Sequence, residues 1–271
     1  MSTHDRIAIL GGGNIGMAMA DGLARNGRWL PAHITVTRRR GESLAPLNAR
    51  GFAVTTDNGQ AVRDSDLVVL AVQPGQLDAL LADIKGDLQP ERHVVVSVVS
   101  GASIAAIRSK LGSPVPIVRA MPNTAISIGE SMTTLAADPG AEAALARARA
   151  LFEPLGRTLV ISESHIGPAT ALAACGVAFF LRAIRAASQG GIEIGFHPAE
   201  ALLMAAQTAR GAATLLLEGG THPEAEIDRV TTPRGCTIAG LNQMEHQGFS
   251  SSLIQGIVLS AEKADQLYRL K

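Results

Sequence analysis

Two spacings of apolar residues alternate along the first part of the chain. Short β-branched runs recur at Arg6–Leu10, Ile34–Thr37, Phe52–Thr55, Leu67–Val72, Val94–Val99 and Ile117–Arg119. Between several of them lie helix-like stretches such as Ile15–Arg25 and Gln76–Ile84. The run Leu67–Ala71 is apolar throughout, which suits a parallel strand covered on both faces. Glu142–Phe152 reads as a further helix and Thr158–Ile161 as a last strand. Such alternation predicts a doubly wound α/β domain.

After Ser164 the pattern becomes helical only, over Pro168–Gln189, Pro198–Leu217, Thr237–His246 and Ser251–Leu270. In the last of these, Leu253, Ile257, Ala261, Ala264 and Tyr268 recur at spacings of three and four. Pro198 suits a helix start, and Gly219-Gly220 suits a stop. The boundary falls near Ser162–His165, giving an α/β domain over 1–163 and an all-α domain over 164–271. Ala169–Leu181 is apolar on every side, and such a helix must be covered all round. A helical domain of roughly 100 residues covers one poorly by itself, so a second subunit is expected.

Composition narrows the function. The 271 residues carry 24 basic and 24 acidic side chains and only 3% aromatics. No field holds a nucleic-acid backbone or an anionic membrane, and no stacking platform is available. Two cysteines, Cys175 and Cys236, make no disulfide framework and fit a reducing compartment. The histidines show no metal-ligand spacing, so no metal site is expected. The least polar segment, Ile166–Leu181, is shorter than the roughly 20 residues that span a bilayer. A soluble cytoplasmic protein is the expectation.

Gly11-Gly12-Gly13-Asn14-Ile15-Gly16 fits Gly-x-Gly-x-x-Gly, between a strand and the helix that Ile15 opens. Gly11 permits the tight turn, Gly13 lets a pyrophosphate approach, and Gly16 lets helix and strand pack closely. The helix start offers free N–H groups to that phosphate. A site for NAD usually places an acid at the end of the second strand. Here Thr37 runs into Arg38-Arg39-Arg40, with no acid until Glu42. Arg38 or Arg39, with the Thr37 hydroxyl, is expected to meet a 2′-phosphate, while Arg40 reads as solvated. NADP(H) is therefore the expected cofactor, with NAD(H) left open.

Two further loops follow strand ends: Ala71-Val72-Gln73-Pro74 and Met121-Pro122-Asn123-Thr124. Each is a cofactor-loop candidate or an ordinary proline turn. Asn58 is a candidate for the adenosine side, although Asn-Gly is a common turn pair. In the helical half, Val230–Leu241 contains a turn at Pro233-Arg234-Gly235 and then a helix start. The N–H groups of Gly235, Cys236 and Thr237 are expected to be unpaired and open to a carboxylate. Spacing alone equally allows Thr237 to be a plain helix cap.

The chain resembles the pyrroline-5-carboxylate reductase family over nearly its whole length. The resemblance rests on Gly11–Gly16, Ala71–Pro74, Val118–Thr124, Gly129-Glu130 and above all Val230–Glu245. It implies a Rossmann-type domain, then an all-α dimerisation domain like the C-terminal domain of 6-phosphogluconate dehydrogenase. It implies a homodimer or an assembly of dimers, with each site between the cofactor domain of one subunit and the helical domain of another. The implied reaction is hydride transfer from NAD(P)H to 1-pyrroline-5-carboxylate, giving L-proline. Val230, Thr232, Gly235, Cys236 and Thr237 become the implied substrate contacts, with Thr237 the candidate catalytic group. Gly11, Gly13, Asn14, Ile15, Gly16, Thr37, Arg38, Arg39, Asn58, Ala71, Val72, Pro74, Met121, Pro122 and Asn123 become the implied cofactor contacts.

Three departures stand out. Arg234 stands where glycine is frequent, and Gln73 replaces a usual lysine. Ala173–Phe179 lacks the family's Ser and Tyr hydroxyls. A β-hydroxyacid dehydrogenase would need a lysine early in the second domain. The four lysines are Lys85, Lys110, Lys263 and Lys271, so that rival is excluded. Another cyclic imine reductase, or a non-catalytic NADP(H) sensor, remains the alternative.

Overall fold

The computed structural model describes residues 5–264. The described residues divide into two compact units, 5–175 with 258–264, and 176–257.

The first unit is built on an eight-stranded sheet ordered β3-β2-β1-β4-β5-β6-β7-β8. Its strands are β1 (Ile7–Leu10), β2 (Ile34–Thr37), β3 (Ala53–Thr55), β4 (Leu67–Leu70), β5 (Val94–Ser97), β6 (Ile117–Met121), β7 (Ser131–Ala137) and β8 (Gly156–Val160). Its helices are α1 (Asn14–Asn26), the short α2 (Ala45–Asn48), α3 (Asn58–Arg63), α4 (Leu77–Ile84), α5 (Ile104–Leu111), α6 (Glu142–Phe152) and α7 (Ile166–Ala169). Strands β1 to β6 pair in parallel, as the continuous apolar runs require. Alternate residues of β1 feed opposite layers. Ile7 and Ile9 join Met19 and Leu23 of α1, whereas Ala8 and Leu10 join Leu77 and Leu81 of α4.

The strand order reverses between β1 and β4, so a crevice opens beyond their carboxyl ends, where doubly wound sheets take ligands.

Strand β7 is an addition to the expected pattern. It pairs antiparallel to β6 and parallel to β8. Its sequence, Ser-Met-Thr-Thr-Leu-Ala-Ala, looks half polar, yet Thr133 and Thr134 are buried. Threonine is a good strand former whose hydroxyl disguises it in a hydrophobicity pattern.

The expected helix over Pro168–Gln189 is longer and less regular than its pattern suggests. α7 runs into one π-helical turn at Thr170–Cys175 and then into α8 (Gly176–Glu193). Pro168 supplies no N–H, and the Thr170 hydroxyl donates to the Ile166 carbonyl at 2.7 Å, so the regular ladder is disturbed there. The whole stretch Glu163–Glu193 is long and apolar enough to cross a membrane by length and composition. This corrects the expectation that the apolar segment is too short.

The second unit contains α8, α9 (Pro198–Gly219), α10 (Pro223–Val230), α11 (Cys236–His246) and most of α12 (Phe249–Ala264). α8 and α9 pack on each other. Within residues 176–257 only Gly176, Ser188 and Ala201 are buried. Phe180 is 62% exposed and Leu203 70%, and Leu181, Leu217 and Ile254 are also exposed. Among the described residues of this unit the apolar helix is therefore left uncovered. The apolar face expected over Ser251–Leu270 is described as far as Ala264, and Tyr268 lies outside the described residues.

Candidate active site

Residues from four strand ends meet at the crevice of the first unit. β1 ends at Leu10 and the chain turns sharply at Gly11, whose φ of +114° is the left-handed region that glycine favours. A methyl on Gly11 would stand 2.5 Å from the Ala71 carbonyl oxygen and 2.9 Å from Val72 Cγ1, so the turn lies directly against the loop after β4. A methyl on Gly16 would strike the Gly11 carbonyl. At Gly13 nothing lies within 4 Å of where a methyl would be. Gly13 is also the cap of α1, with no side chain capping the first turn. Asn14 and Ile15 follow it, so the free N–H groups of that turn face open space. A closed turn below and an open cradle above fit a dinucleotide pyrophosphate.

The end of β2 is fastened to this turn. Gly12 N–H donates to the Thr37 carbonyl at 2.8 Å, and Arg38 Nε donates back to the Gly12 carbonyl. Arg38 is half-buried, whereas Arg39 and Arg40 are exposed. The Thr37 hydroxyl is not poised as a phosphate donor. It donates to Asn58 Oδ1 at 2.6 Å, and Asn58 Nδ2 donates to Asp83 Oδ2 at 2.9 Å. Asn58 thus opens α3 beside the end of β2, so it does more than turn the chain.

The loop after β4 is a 3₁₀ turn over Pro74–Gln76, with Gln73 exposed at its start. Met121 and Pro122, at the end of β6, are buried. Asn123 is buried and used structurally: its Oδ1 accepts from Ala125 N–H at 3.0 Å and its Nδ2 donates to the Ala173 carbonyl at 3.1 Å. Arg119, within the same stretch, is also buried and pairs with Glu163 at 3.2 Å.

Two of the groups whose titration the fold shifts lie at the far edge of the sheet. Burial first, then the Arg92 guanidinium, hold His93 below the usual imidazole value. Asp66 is pushed up by burial, but Arg6 N–H and Arg92 outweigh that and leave it low. These two precede β5 and β4, at the opposite edge of the sheet from the cradle. Neither is placed to move a proton at the cradle.

The Val230–Thr237 segment belongs to the second unit. Val230 is the exposed end of α10, and Thr231 follows it with its hydroxyl donating to the Ile227 carbonyl at 2.7 Å. Gly235 N–H donates to the Thr232 carbonyl at 2.9 Å and closes a turn through Pro233 and Arg234. That N–H is therefore spent, correcting the expectation that it would be open to a carboxylate. Arg234 has φ +61°, the only non-glycine residue in the left-handed region among those described. A methyl on Gly235 would strike the Thr232 hydroxyl. Gly235, not Thr237, is the cap of α11. Cys236 and Thr237 are its first two helical residues, and their N–H groups have no acceptor inside the helix. Among the described residues none hydrogen-bonds the Thr237 hydroxyl.

Comparison with known proteins shows the family. Residues 163–267 match the family described as pyrroline-5-carboxylate reductase dimerisation, and residues 6–101 match that described as NADP oxidoreductase coenzyme F420-dependent. Pyrroline-5-carboxylate reductase 2 of Dictyostelium discoideum is 46% identical over 98% of this chain and 94% of its own length. The chain belongs to the pyrroline-5-carboxylate reductase family.

Pyrroline-5-carboxylate reductase 1 of the same organism is 54% identical over 100% of the chain, which spans 51% of that relative's length. The solved pyrroline-5-carboxylate reductase of Coxiella burnetii shares 29% identity, covers 97% of this chain and 98% of its own, and superposes with a TM-score of 0.87. The fold is thus that of the family: a Rossmann-type sheet followed by a helical dimerisation domain.

Proposed function

We propose that this chain reduces 1-pyrroline-5-carboxylate to L-proline with a reduced nicotinamide dinucleotide, NADPH before NADH. The observation that carries the reading is the turn before α11. It leaves the N–H groups of Cys236 and Thr237 without an acceptor inside the helix, and among the described residues none bonds the Thr237 hydroxyl. Such a helix start takes a carboxylate.

Gly11, Gly13, Asn14, Ile15 and Gly16 would hold the pyrophosphate, Ala71, Val72 and Pro74 the nicotinamide side, and Thr37, Arg38, Arg39 and Asn58 the adenosine side. When bound, the reduced nicotinamide supplies the hydride. The chain's own work is to hold the substrate carboxylate at Cys236 and Thr237, so that the imine carbon is fixed in line. Positioning of this kind removes much of a barrier. The imine nitrogen arrives protonated or takes a hydrogen bond from the Thr237 hydroxyl. No buried acid or base is required.

The protein acts as a homodimer in the cytoplasm. A unit that buries three residues while exposing Phe180, Leu181 and Leu203 needs a second copy to cover it. The same covering accounts for the long apolar helix without a membrane.

Thr237→Val, which keeps the shape and removes the hydroxyl, tests the site. Steady-state oxidation of NADPH with 1-pyrroline-5-carboxylate should show kcat lowered about 10-fold or more if the hydroxyl meets the nitrogen in the transition state. A raised KM with kcat held would assign it to the carboxylate alone. Unchanged kinetics, or no dinucleotide oxidation by the wild-type protein, would contradict the reading.

A further inference from the structure

The adenosine end of the cradle contains a carboxylate that the function above does not use. Asp83, near the end of α4, is exposed, and its Oδ2 accepts from Asn58 Nδ2 at 2.9 Å. Asn58 in turn accepts, through Oδ1, the Thr37 hydroxyl proton at 2.6 Å. The chain of bonds runs Thr37 to Asn58 to Asp83, from the end of β2 to α4.

Its direction is fixed at the Asp83 end. An ionised carboxylate only accepts, so the Asn58 NH₂ must face Asp83 and the Asn58 oxygen must face Thr37. Thr37 must then spend its proton on Asn58. What remains at the strand end is a hydroxyl oxygen with free lone pairs, an acceptor. A ribose 2′-hydroxyl is a donor and suits it. A 2′-phosphate carries acceptors alone at neutral pH and finds an acceptor opposite, with a negative charge two hydrogen bonds away. Arg38 and Arg39 pull the other way, and the strand end holds no acid.

We propose that Asp83 is a specificity-determining, positioning residue that holds down the preference for the 2′-phosphorylated dinucleotide by orienting the Asn58 amide. Without its carboxylate the amide can turn over. Asn58 NH₂ then faces Thr37, the Thr37 proton is released, and both groups become donors toward a phosphate. The arginines make the phosphorylated cofactor welcome, and Asp83 keeps the unphosphorylated one competitive. This rests on the function proposed above, in that it takes the crevice to be a nicotinamide dinucleotide site.

The test is direct binding, without substrate. Dissociation constants of NADPH and NADH are measured by titration calorimetry for the wild-type protein, Asp83→Ala and Asp83→Asn, with thermal melts to confirm folding. A damaged fold weakens both dinucleotides together, whereas orientation of Asn58 changes their ratio. The account expects Asp83→Ala to raise the ratio of the NADH to the NADPH dissociation constant about tenfold, the worth of one charge-assisted hydrogen bond. Asp83→Asn, which is neutral but still offers an acceptor, should fall between. In an Asn58→Ala background, Asp83→Ala should leave the ratio within about twofold, because the route through the amide is gone. A ratio unmoved by Asp83→Ala in the wild-type background overturns the proposal. So does a full shift in the Asn58→Ala background, which would make Asp83 a bare charge and not a positioning group. If the folded wild-type protein bound neither dinucleotide, the function proposed above would fall first and this inference with it.

Discussion

Arg234 shows how much one backbone angle can matter. Its φ of +61° costs an L-residue about 1 kcal/mol or more relative to glycine. The turn that needs this angle is the one that closes Thr232 onto Gly235 and sets the start of α11. Arg234→Gly relieves the strain but loosens the unfolded chain, so the two effects partly cancel. A net gain of about 0.5 kcal/mol is expected in denaturant melts, and a loss of stability would contradict the strained turn. Residue identity announces such a site only by exception. An arginine between Pro233 and Gly235 reads as an ordinary turn member, and the resemblance alone marked the position as one where glycine is frequent. The Thr37–Asn58–Asp83 chain was legible in still smaller part. Thr37 and Asn58 stood out by position, but bonds across 21 and 25 residues leave no local pattern in the sequence.

Among elements, the strands carried their own evidence. Four-residue apolar runs such as Leu67–Leu70 and Val94–Ser97 are buried from end to end, and the sequence pattern requires that. β7 was hidden because threonines fill buried positions, and the π-helical turn was hidden because its cause is a bond from Thr170 back to Ile166. Glu163 joins several elements at once. Its Oε1 accepts from Ile104 N–H at the start of α5 at 2.6 Å and from Arg119 Nη1 of β6 at 3.2 Å. Arg119 is buried, and removing the carboxylate takes one partner from it and leaves the Ile104 N–H unmet. Glu163→Ala should cost about 2–3 kcal/mol in denaturant melts, with Glu163→Gln recovering part of it. A cost below about 0.5 kcal/mol would mean that solvent replaces the carboxylate freely.

At the scale of the whole molecule, the two units have opposite character. The sheet of the first unit buries β1, β4, β5 and β6 completely, whereas the second leaves helix after helix with large apolar side chains in the open. A monomer with so much exposed apolar surface would associate or aggregate. Sedimentation equilibrium should therefore find no stable monomer. Phe180→Asp, which forces a charge into the covered face, should give poorly soluble or dissociated protein. A soluble, fully active wild-type monomer would overturn this.

In the proposed reaction a hydride passes from the reduced dinucleotide to the imine carbon of 1-pyrroline-5-carboxylate. NADPH carrying deuterium at the transferred position tests it most directly, with the product examined by mass spectrometry and NMR. The account predicts L-proline with a single deuterium, on the ring carbon that is bonded to nitrogen and remote from the carboxylate. Proline without deuterium, deuterium elsewhere in the ring, or no proline at all would contradict it.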